Sequence, residues 1–347
     1  MTAENTDAAQ SGSQKHPEQR LVVKAPRRIV SPRPLTLQRQ PPAVVKGGRF
    51  SGVVLGRPNP PEPGPSKAAD ANAATGPVRR KVDRWLSARY RIEAEINRGG
   101  SAKVYLATDN LLNMPVAIKI LNVRFNRDRA AVESLKREAR LAMGLSHSHI
   151  VRLHNLQRAS SLYFLVMEFV EGQTVEEVLK DRGPQPLQTV ARVVAVCADA
   201  IAYAHRHGVL HNDLKPGNLM VGRDGVLKII DFGIASLLGE RSKGRWIEGT
   251  PPYMSPEQMR GESLDGRTDV YALAVIACEM LAGRPPFPDD FEKAMQLKAT
   301  PPRMTALPAP IAGVLEKAMA PDRTERWESV DAFSAAFAQA VAQSGGS

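Results

Sequence analysis

Eight consecutive residues near the middle of the chain bring together three kinds of side chain that phosphoryl transfer requires. The segment His211–Asn218 contains the carboxylate of Asp213, the ammonium of Lys215 and the carboxamide of Asn218. An aspartate can orient a hydroxyl and accept its proton, a lysine can neutralise charge on the transferred group, and an asparagine oxygen can bind Mg²⁺. The segment therefore predicts a catalytic loop, with an ordinary polar loop after a helix as the alternative.

The elements on either side of this loop follow from the spacing of apolar residues. Before the loop, apolar residues recur every three or four positions over Pro186–His207, and Gly208 follows as a stop signal, which predicts a long helix. After the loop, the apolar runs Leu219–Val221 and Leu227–Ile230 predict two strands. The second strand leads directly into Asp231–Gly233, which adds a further carboxylate beside the loop.

Short alternating segments predict a β-rich region upstream. Tyr90–Ile96, Lys103–Asp109 and Met114–Leu121 predict three strands, and the residues from about 128 to 144 predict a helix. Lys119 lies among apolar residues of the third strand, where an unpaired ammonium is costly to bury. We therefore expect Lys119 to have an anionic partner.

The overall composition is that of a globular protein with a basic extension. The chain has 347 residues, 43% of them hydrophobic and 24% charged, which is enough to form a sizeable core. The only cysteines, Cys197 and Cys278, lie in apolar segments, which favours buried reduced thiols over a disulfide framework or a metal site. No stretch reaches the roughly 18 consecutive apolar residues of a membrane span, and no apolar signal segment follows the N-terminus. We therefore expect a cytoplasmic protein.

Most of the formal net charge of +11 belongs to the N-terminal extension, residues 1–84. This stretch contains 15 Lys and Arg against 6 Asp and Glu, with 12 of the 27 prolines and one aromatic residue, Phe50. So little apolar surface cannot offset the entropy of ordering the chain, which predicts disorder. The basic clusters could dock on an acidic partner or anionic lipid, with a solvated linker as the alternative. The scarcity of aromatic side chains does not favour nucleic acid as the partner.

Four motifs resemble those of protein kinases and occur in that family's order. They are Val116–Lys119 for V-A-I-K, His211–Asn218 for H-R-D-L-x-x-x-N, Asp231–Gly233 for D-F-G, and Ser255–Glu257 for A-P-E. The chain is most similar to bacterial Ser/Thr kinases of the eukaryotic (Hanks) type. The resemblance implies an α+β two-lobed protein-kinase fold over residues 88–338, preceded by the disordered extension. The small β-rich N-lobe is expected at about 88–168 and the α-rich C-lobe at about 172–338, with a disordered end at 343–347.

The resemblance also implies which residues perform the chemistry. Asp213 is expected to orient the substrate hydroxyl, and Lys215 to offset charge on the γ-phosphoryl group. Asn218 and Asp231 are expected to hold Mg²⁺, with Mn²⁺ as a possible substitute.

The nucleotide site implied by the resemblance lies between the two lobes. Lys119 is expected to contact the α- and β-phosphates of ATP, and Glu138 on the predicted helix to steady it, with Glu133 as the competing candidate. The residues expected to line the site are Asn97, Gly99, Gly100, Val104, Ala117, Lys119, Met167, Glu168, Val170 and Met220.

Further residues are expected to support this machinery by the same resemblance. Phe232 should pack beneath His211, and Asp269 should steady the backbone of the catalytic loop. The residues 249–257 resemble the substrate-side loop of kinases, in which Thr250 should lie near Asp213 and Lys215. Glu257, at the end of that loop, is expected to pair with a late arginine, Arg326.

The activity implied is transfer of the γ-phosphoryl group of Mg·ATP to protein Ser or Thr hydroxyls, including those of the chain itself. Three residues depart from the family pattern: Asn97 and Ala102 replace two glycines of the Gly-rich loop, and Asn212 replaces the usual Arg. A pseudokinase that binds nucleotide or a partner without catalysis is therefore the alternative.

The arginine that Asn212 replaces receives, in the family, a phosphorylated residue of the activation segment. That segment corresponds here to Asp231–Glu257, and its only hydroxyls between Phe232 and Gly249 are Ser236 and Ser242. The sequence therefore predicts activity that does not depend on an activation-segment phosphate.

Overall fold

The computed structural model describes residues 89–98, 102–121, 129–159, 162–232 and 250–344. The predicted extension and the residues Gly99, Gly100, Gly233, Ser236 and Ser242 lie outside these ranges. The predictions made for them stay predictions.

The N-terminal lobe is built on a five-stranded antiparallel sheet. The order across this sheet is β1-β2-β3-β5-β4. The strands are β1 (Tyr90–Arg98), β2 (Ala102–Asp109), β3 (Met114–Leu121), β4 (Leu153–Ala159) and β5 (Leu162–Glu168). Central strand β3 is apolar and mostly buried, as expected of a strand covered on both faces. It pairs with both β2 and β5, which fixes Lys119 in the middle of the sheet.

One strand and one helix complete this lobe. Strand β4 was not predicted, because its sequence mixes polar residues with only two fully buried positions, Leu153 and Ala159. Helix α1 (Arg129–Gly144) lies against β4 and buries Leu135 and Ala139. The face of the helix that carries Glu138 therefore lies towards the sheet.

The C-terminal lobe is mainly helical, with a small three-stranded sheet in the order β6-β7-β8. Its helices are α2 (Val175–Arg182), α3 (Leu187–Arg206), α4 (Pro256–Met259), α5 (Gly266–Ala282), α6 (Phe291–Leu297), α7 (Ala309–Ala318) and α8 (Val330–Ser344). The strands are β6 (Gly172–Thr174), β7 (Leu219–Gly222) and β8 (Leu227–Ile229). The α+β two-lobed architecture predicted from the sequence is confirmed.

Helices α3 and α5 form the centre of the C-terminal lobe. Helix α5 is buried on almost every side, which is typical of a helix that is apolar all round. Helix α3 packs against both α5 and α8. It is the one described helix long and apolar enough to cross a membrane, yet more than half of its apolar stretch is buried inside the protein.

The two lobes are joined by backbone hydrogen bonds as well as by the chain. Val151 N donates to Ile229 O at 2.9 Å, and Ile229 N donates to His149 O at 2.8 Å. These bonds connect the segment between α1 and β4 with strand β8. They fix the position of the N-terminal lobe relative to residues 230–232, which follow β8.

Both cysteines are free and buried, as the sequence predicted. Burial raises the pKa of each thiol, Cys197 and Cys278, to about 12, so neither is a reactive thiolate at neutral pH.

The last helix is longer than predicted. It continues to Ser344, two residues into the stretch predicted to be disordered. Ala340 and Val341 are buried in its last turn, and Ser344 Oγ donates to Ala340 O at 2.9 Å. This packing and hydrogen bond hold a turn that the local sequence, ending in Gln-Ser-Gly-Gly, does not favour by itself.

Candidate active site

Asp269 of helix α5 holds the backbone at the start of the catalytic loop. Its carboxylate accepts from His211 N at 2.9 Å and from Asn212 N at 3.0 Å, and it contacts His205 Nε2 at 2.7 Å. Burial alone would raise the pKa of Asp269, but the contact with His205 and the backbone donors outweigh burial and lower it. The expected role of Asp269 in steadying the loop is therefore confirmed by its contacts.

His211 ties the catalytic loop to the residues after β8. Its Nδ1 accepts from Asp213 N at 3.2 Å, which leaves Nε2 as the protonated nitrogen that donates to Ile230 O at 2.9 Å. The ring of Phe232 meets the His211 ring edge-on, with centroids 4.7 Å apart. The predicted packing of Phe232 on His211 is thus confirmed. It places the neighbouring residue, Asp231, beside the catalytic loop.

The side chains of Lys215 and Asn218 both contact Asp213. Lys215 Nζ lies 2.9 Å from Asp213 Oδ2, and Asn218 Nδ2 donates to the same oxygen at 3.1 Å and to Asp213 O at 2.7 Å. Lys215 Nζ also donates to Thr250 Oγ1 at 3.3 Å, as expected from the sequence. Among the described residues, the hydrogen bonds to this carboxylate fall on Oδ2, which leaves Oδ1 as the oxygen that can receive a hydroxyl proton.

Lys119 and Asp231 form an ion pair across the cleft between the lobes. Lys119 Nζ lies 2.9 Å from Asp231 Oδ2, with side-chain exposures of 10% and 20%. Burial alone would raise the pKa of Asp231, but the charge and hydrogen bond of Lys119 outweigh burial and lower it. The anionic partner expected for Lys119 is therefore Asp231 in this structure. Glu138 accepts a hydrogen bond from Ser134 Oγ at 3.3 Å, and its predicted support of Lys119 stays a prediction.

Asp231 and Asn212 share an unusual backbone conformation. Their φ angles are 63° and 65°, in the left-handed region that Asp and Asn tolerate better than other non-glycine residues. Asn212 Oδ1 is buried without a hydrogen-bond partner among the described residues. The backbone therefore turns sharply at Asn212, directly before Asp213, and at Asp231 itself.

The residues predicted to line the nucleotide site lie on facing strands. Val104 is opposite Lys119 in the register of β2 and β3, and Ala117 is opposite Met167 in that of β3 and β5. Val104, Ala117 and Met167 belong to one apolar cluster. Asn97 is exposed and paired with Val104, at the end of β1 beside the predicted Gly-rich turn.

The segment after β5 shows which backbone groups remain for a base. Glu168 N donates to Arg152 O at 2.9 Å, and the Glu168 carboxylate pairs with Lys228 at 2.7 Å. The main-chain N–H and the carboxylate of Glu168 are therefore already committed within the protein. Val170 and Met220 are partly buried, which suits residues at the edge of a cleft.

The oxygen atoms of Asn218 and Asp231 suit Mg²⁺. The amide nitrogen of Asn218 is committed to Asp213, so its Oδ1 is the atom available for a cation. Within the described ranges no group of three or more His, Cys, Asp or Glu side chains could hold a metal ion. A site with few protein oxygens fits Mg²⁺, which keeps several waters and binds phosphate oxygens as well.

An ion pair between Glu257 and Arg326 supports the substrate-side loop, as predicted. Arg326 Nη1 and Nη2 donate to the two carboxylate oxygens at 2.7 and 2.8 Å, and Thr268 Oγ1 adds a bond of 2.9 Å. Burial would raise the pKa of Glu257, but the hydrogen bonds and charge of Arg326 outweigh it and lower the pKa. The pair is closed to solvent, with side-chain exposures of 0% and 1%.

Gln258 contacts the catalytic loop, and the sequence did not predict this contact. Its Nε2 donates to Asn212 O at 2.7 Å, and it forms a capping box with Ser255 at the start of α4. The pattern Ser-x-x-Gln could have signalled the cap. Ser255, which replaces the usual Ala, therefore serves the cap of a helix that contacts the catalytic loop.

Comparison with known proteins decides the family. The protein kinase domain family matches residues 90–338. The chain belongs to the protein kinase family. Within this family it is 35% identical over 265 residues to a probable serine/threonine-protein kinase PknB of Bifidobacterium longum, covering 71% of this chain and 38% of that protein. It is 34% identical over 259 residues to the serine/threonine-protein kinase PrkC of Bacillus subtilis, covering 72% and 40%.

Solved kinase structures have the same fold. The kinase domain of Mycobacterium tuberculosis PknI is 28% identical, with a TM-score of 0.62, over 73% of this chain and 96% of that one. The chain spans about two fifths of the length of the curated relatives it matches. The resemblance to bacterial Ser/Thr kinases predicted from the sequence is thus confirmed for the kinase domain.

Proposed function

We propose that this chain is an ATP-dependent protein kinase that phosphorylates Ser and Thr hydroxyls of proteins. The observation that carries the proposal is the arrangement at Asp213, where Lys215 and Asn218 hold Oδ2 and leave Oδ1 for a substrate hydroxyl. The contact of Lys215 with Thr250 connects this group to the substrate-side loop. Relatives named as serine/threonine-protein kinases support the substrate class.

The chemistry assigned to the site is an in-line transfer. Asp213 accepts the hydroxyl proton while the hydroxyl oxygen bonds to the γ-phosphorus, and the bond from that phosphorus to the bridging β–γ oxygen breaks to leave ADP. Lys215 offsets the charge on the transferred group. Positioning and charge stabilisation supply most of the acceleration in such a site.

Lys119 and Asp231 exchange partners in this proposal. When ATP binds, Lys119 contacts its phosphates, and Glu138 on helix α1 supports Lys119. Asp231 and Asn218 Oδ1 would then hold Mg²⁺, which would neutralise phosphate charge. The apolar cluster of Val104, Ala117 and Met167 provides a surface for the base. The rest of the nucleotide site is proposed to be lined by Asn97, Gly99, Gly100, Glu168, Val170 and Met220.

Activity is proposed to be independent of an activation-segment phosphate. Asn212 carries no charge to receive a phosphate, and its main chain is already held by Asp269 and Gln258. Changing both Ser236 and Ser242 to Ala should leave the transfer rate within about twofold of wild type. Loss of activity in this variant, with the fold intact, would contradict the proposal.

The cellular setting follows from the same reasoning. The chain is proposed to act in the cytoplasm, because both thiols are free and buried, as suits a reducing compartment. Its partners are proposed to be Ser- or Thr-containing proteins, with its own chain among them and an acidic partner for the basic extension.

The alternative, a pseudokinase, can be separated by two measurements on the full chain. ATP affinity is measured by titration with Mg²⁺, and transfer of labelled γ-phosphate is measured to the chain itself and to myelin basic protein. An active kinase binds ATP and transfers label, and Asp213→Ala loses the transfer but keeps the binding. ATP binding with no transfer above that of Asp213→Ala, under either Mg²⁺ or Mn²⁺, would establish the pseudokinase instead.

A further inference from the structure

Lys298, at the C-terminal end of helix α6, is a buried lysine that the proposed chemistry does not use. Its residue is only 2% exposed. Its Nζ donates to three main-chain carbonyls: Pro251 O at 2.6 Å, Pro252 O at 3.0 Å and Met254 O at 2.6 Å. All three acceptors belong to the substrate-side loop.

Two nearby aromatic rings stabilise the charge of Lys298, while its burial opposes that charge. The Lys298 ammonium lies 4.6 Å from the ring centre of Phe287 and 5.3 Å from that of Tyr271, within the range of cation–π attraction. Burial lowers the pKa of this ammonium to about 7, and the nearby carboxylate of Glu257 opposes that shift. A lysine so removed from water is costly unless its donors are matched, and here three carbonyls match three N–H groups.

The loop that Lys298 holds is directly connected to the catalytic group. The chain runs from Pro251 back to Thr250, whose hydroxyl accepts from Lys215, and Lys215 pairs with Asp213. A second anchor of the loop is the Tyr253 hydroxyl, which donates to Glu279 Oε2 at 2.6 Å. The side chains of Thr250 and Tyr253 are thus held by Lys215 and Glu279, while three carbonyls of the loop accept hydrogen bonds from Lys298.

We infer that Lys298 is a positioning residue for the protein substrate, because it fixes the main chain of the loop that receives the polypeptide beside the phosphoacceptor. The inference rests on the proposed kinase activity. Lys298 touches neither the candidate nucleotide site nor Asp213, so its loss acts through the loop on the protein substrate and leaves ATP binding intact.

Steady-state kinetics with myelin basic protein and ATP test this assignment. Lys298→Met keeps the length of the side chain but removes all three donors. We expect it to raise the KM for myelin basic protein about tenfold, as for loss of a charge-assisted hydrogen bond, with the KM for ATP within about twofold. Lys293→Met, at an exposed position of the same helix, should change neither value.

Two results would overturn the inference. One is an unchanged KM for myelin basic protein in Lys298→Met, and the other is an equal rise of both KM values, which would indicate general loss of structure. If Lys298→Met does not fold, Lys298→Gln retains two donors and should raise the KM for myelin basic protein about threefold on the same reasoning. An unchanged KM in that variant contradicts the inference equally.

Amide hydrogen exchange separates this inference from the proposed function. If the wild-type chain transfers no phosphate, the proposed kinase activity fails, but the effect of Lys298 on the loop is still measurable. The amides of Thr250, Tyr253 and Met254 should exchange faster in Lys298→Met than in Lys293→Met. Equal exchange in the two variants would show that Lys298 does not hold the loop.

Discussion

Two ion pairs lie on the two sides of the candidate active site, and they differ in almost every physical respect. Glu257 and Arg326 are joined by two hydrogen bonds and are closed to solvent. Lys119 and Asp231 are joined by a single contact of 2.9 Å and are partly open to the cleft. A closed, fully satisfied pair fixes the substrate-side loop in one arrangement. An open pair can exchange partners at low cost, which suits groups that must bind phosphate and metal.

The backbone around the two pairs shows the same contrast. The loop near Glu257 is held by the capping box of Ser255 and Gln258 and by the three carbonyl contacts of Lys298. Asp231, in contrast, lies at a positive φ angle between β8 and the residues that follow Phe232. We interpret the side of the site that carries Glu257 as rigid, and the side that carries Lys119 and Asp231 as the part that rearranges on binding.

Breaking the closed pair should give the largest effect on stability. Glu257→Gln leaves the charge of Arg326 buried without a counter-charge, which costs about 3–5 kcal/mol of unfolding free energy for a buried pair. Chemical denaturation followed by circular dichroism measures this loss. Glu262→Gln, which removes an exposed partner of Arg260, is the control and should change stability little. Equal stability of the two variants would show that the closed pair is not a structural support.

Breaking the open pair should affect activity and hardly affect stability. Asp231→Asn keeps the shape of the side chain and tolerates the positive φ angle, but removes the carboxylate proposed for Mg²⁺. We expect phosphate transfer to fall by at least about a hundredfold, as for removal of one electrostatic group from an active site. Denaturation should show a loss of about 1 kcal/mol, as for a partly exposed pair. A loss of stability as large as that of Glu257→Gln would contradict the distinction between the two pairs.

Acid should weaken the closed pair. The folded-state pKa of Glu257 lies below its ordinary value of 4.5, so the folded protein binds fewer protons than the unfolded chain between those two values. The stabilisation is therefore complete above the ordinary value and is lost as the pH falls through the lowered pKa. Unfolding free energy measured from pH 6 downwards should fall more steeply in wild type than in Glu257→Gln. Parallel curves would mean that Glu257 makes no contribution to the acid sensitivity.

The smallest expected effect concerns the backbone turn at Asn212. Replacing Asn212 with Ala removes the short polar side chain that lets Asn adopt the left-handed region, at a cost of about 1 kcal/mol. Asn212→Gly removes that strain and should be more stable than Asn212→Ala by a similar amount. The same pair of substitutions at Asn113, which has a φ of 52° in an exposed turn, provides the control. Equal stabilities of the Ala and Gly variants at position 212 would contradict the strain argument.

The sequence predicted the parts of the site that are specified by local pattern. The catalytic loop, the strand of Lys119 and the pair of Glu257 with Arg326 follow from motifs that the family shares, and the structure places them as expected. Strand β4 escaped prediction because only its ends are buried. Helix α2 escaped prediction as well, although its cap from Thr174 to Glu177 is a recognisable local signal.

Contacts between distant segments could not be predicted from the same patterns. Lys298 looks like one more surface lysine in an amphipathic helix, because its three carbonyl partners lie more than forty positions away. The sequence predicted Glu138 as the partner of Lys119, whereas the ion pair seen in the structure is with Asp231. The choice of Asp231 depends on how the two lobes meet, which no local pattern encodes.

The proposal that Asp213 is the base of a working kinase is tested most directly by one comparison. The initial rate of phosphate transfer from labelled ATP to myelin basic protein is measured for wild type, Asp213→Asn and Asp181→Asn, the last at an exposed position of α2. We predict a rate at least about a hundredfold lower in Asp213→Asn, with unchanged ATP affinity, and no change in Asp181→Asn. Transfer by Asp213→Asn at the wild-type rate would contradict the central role of Asp213.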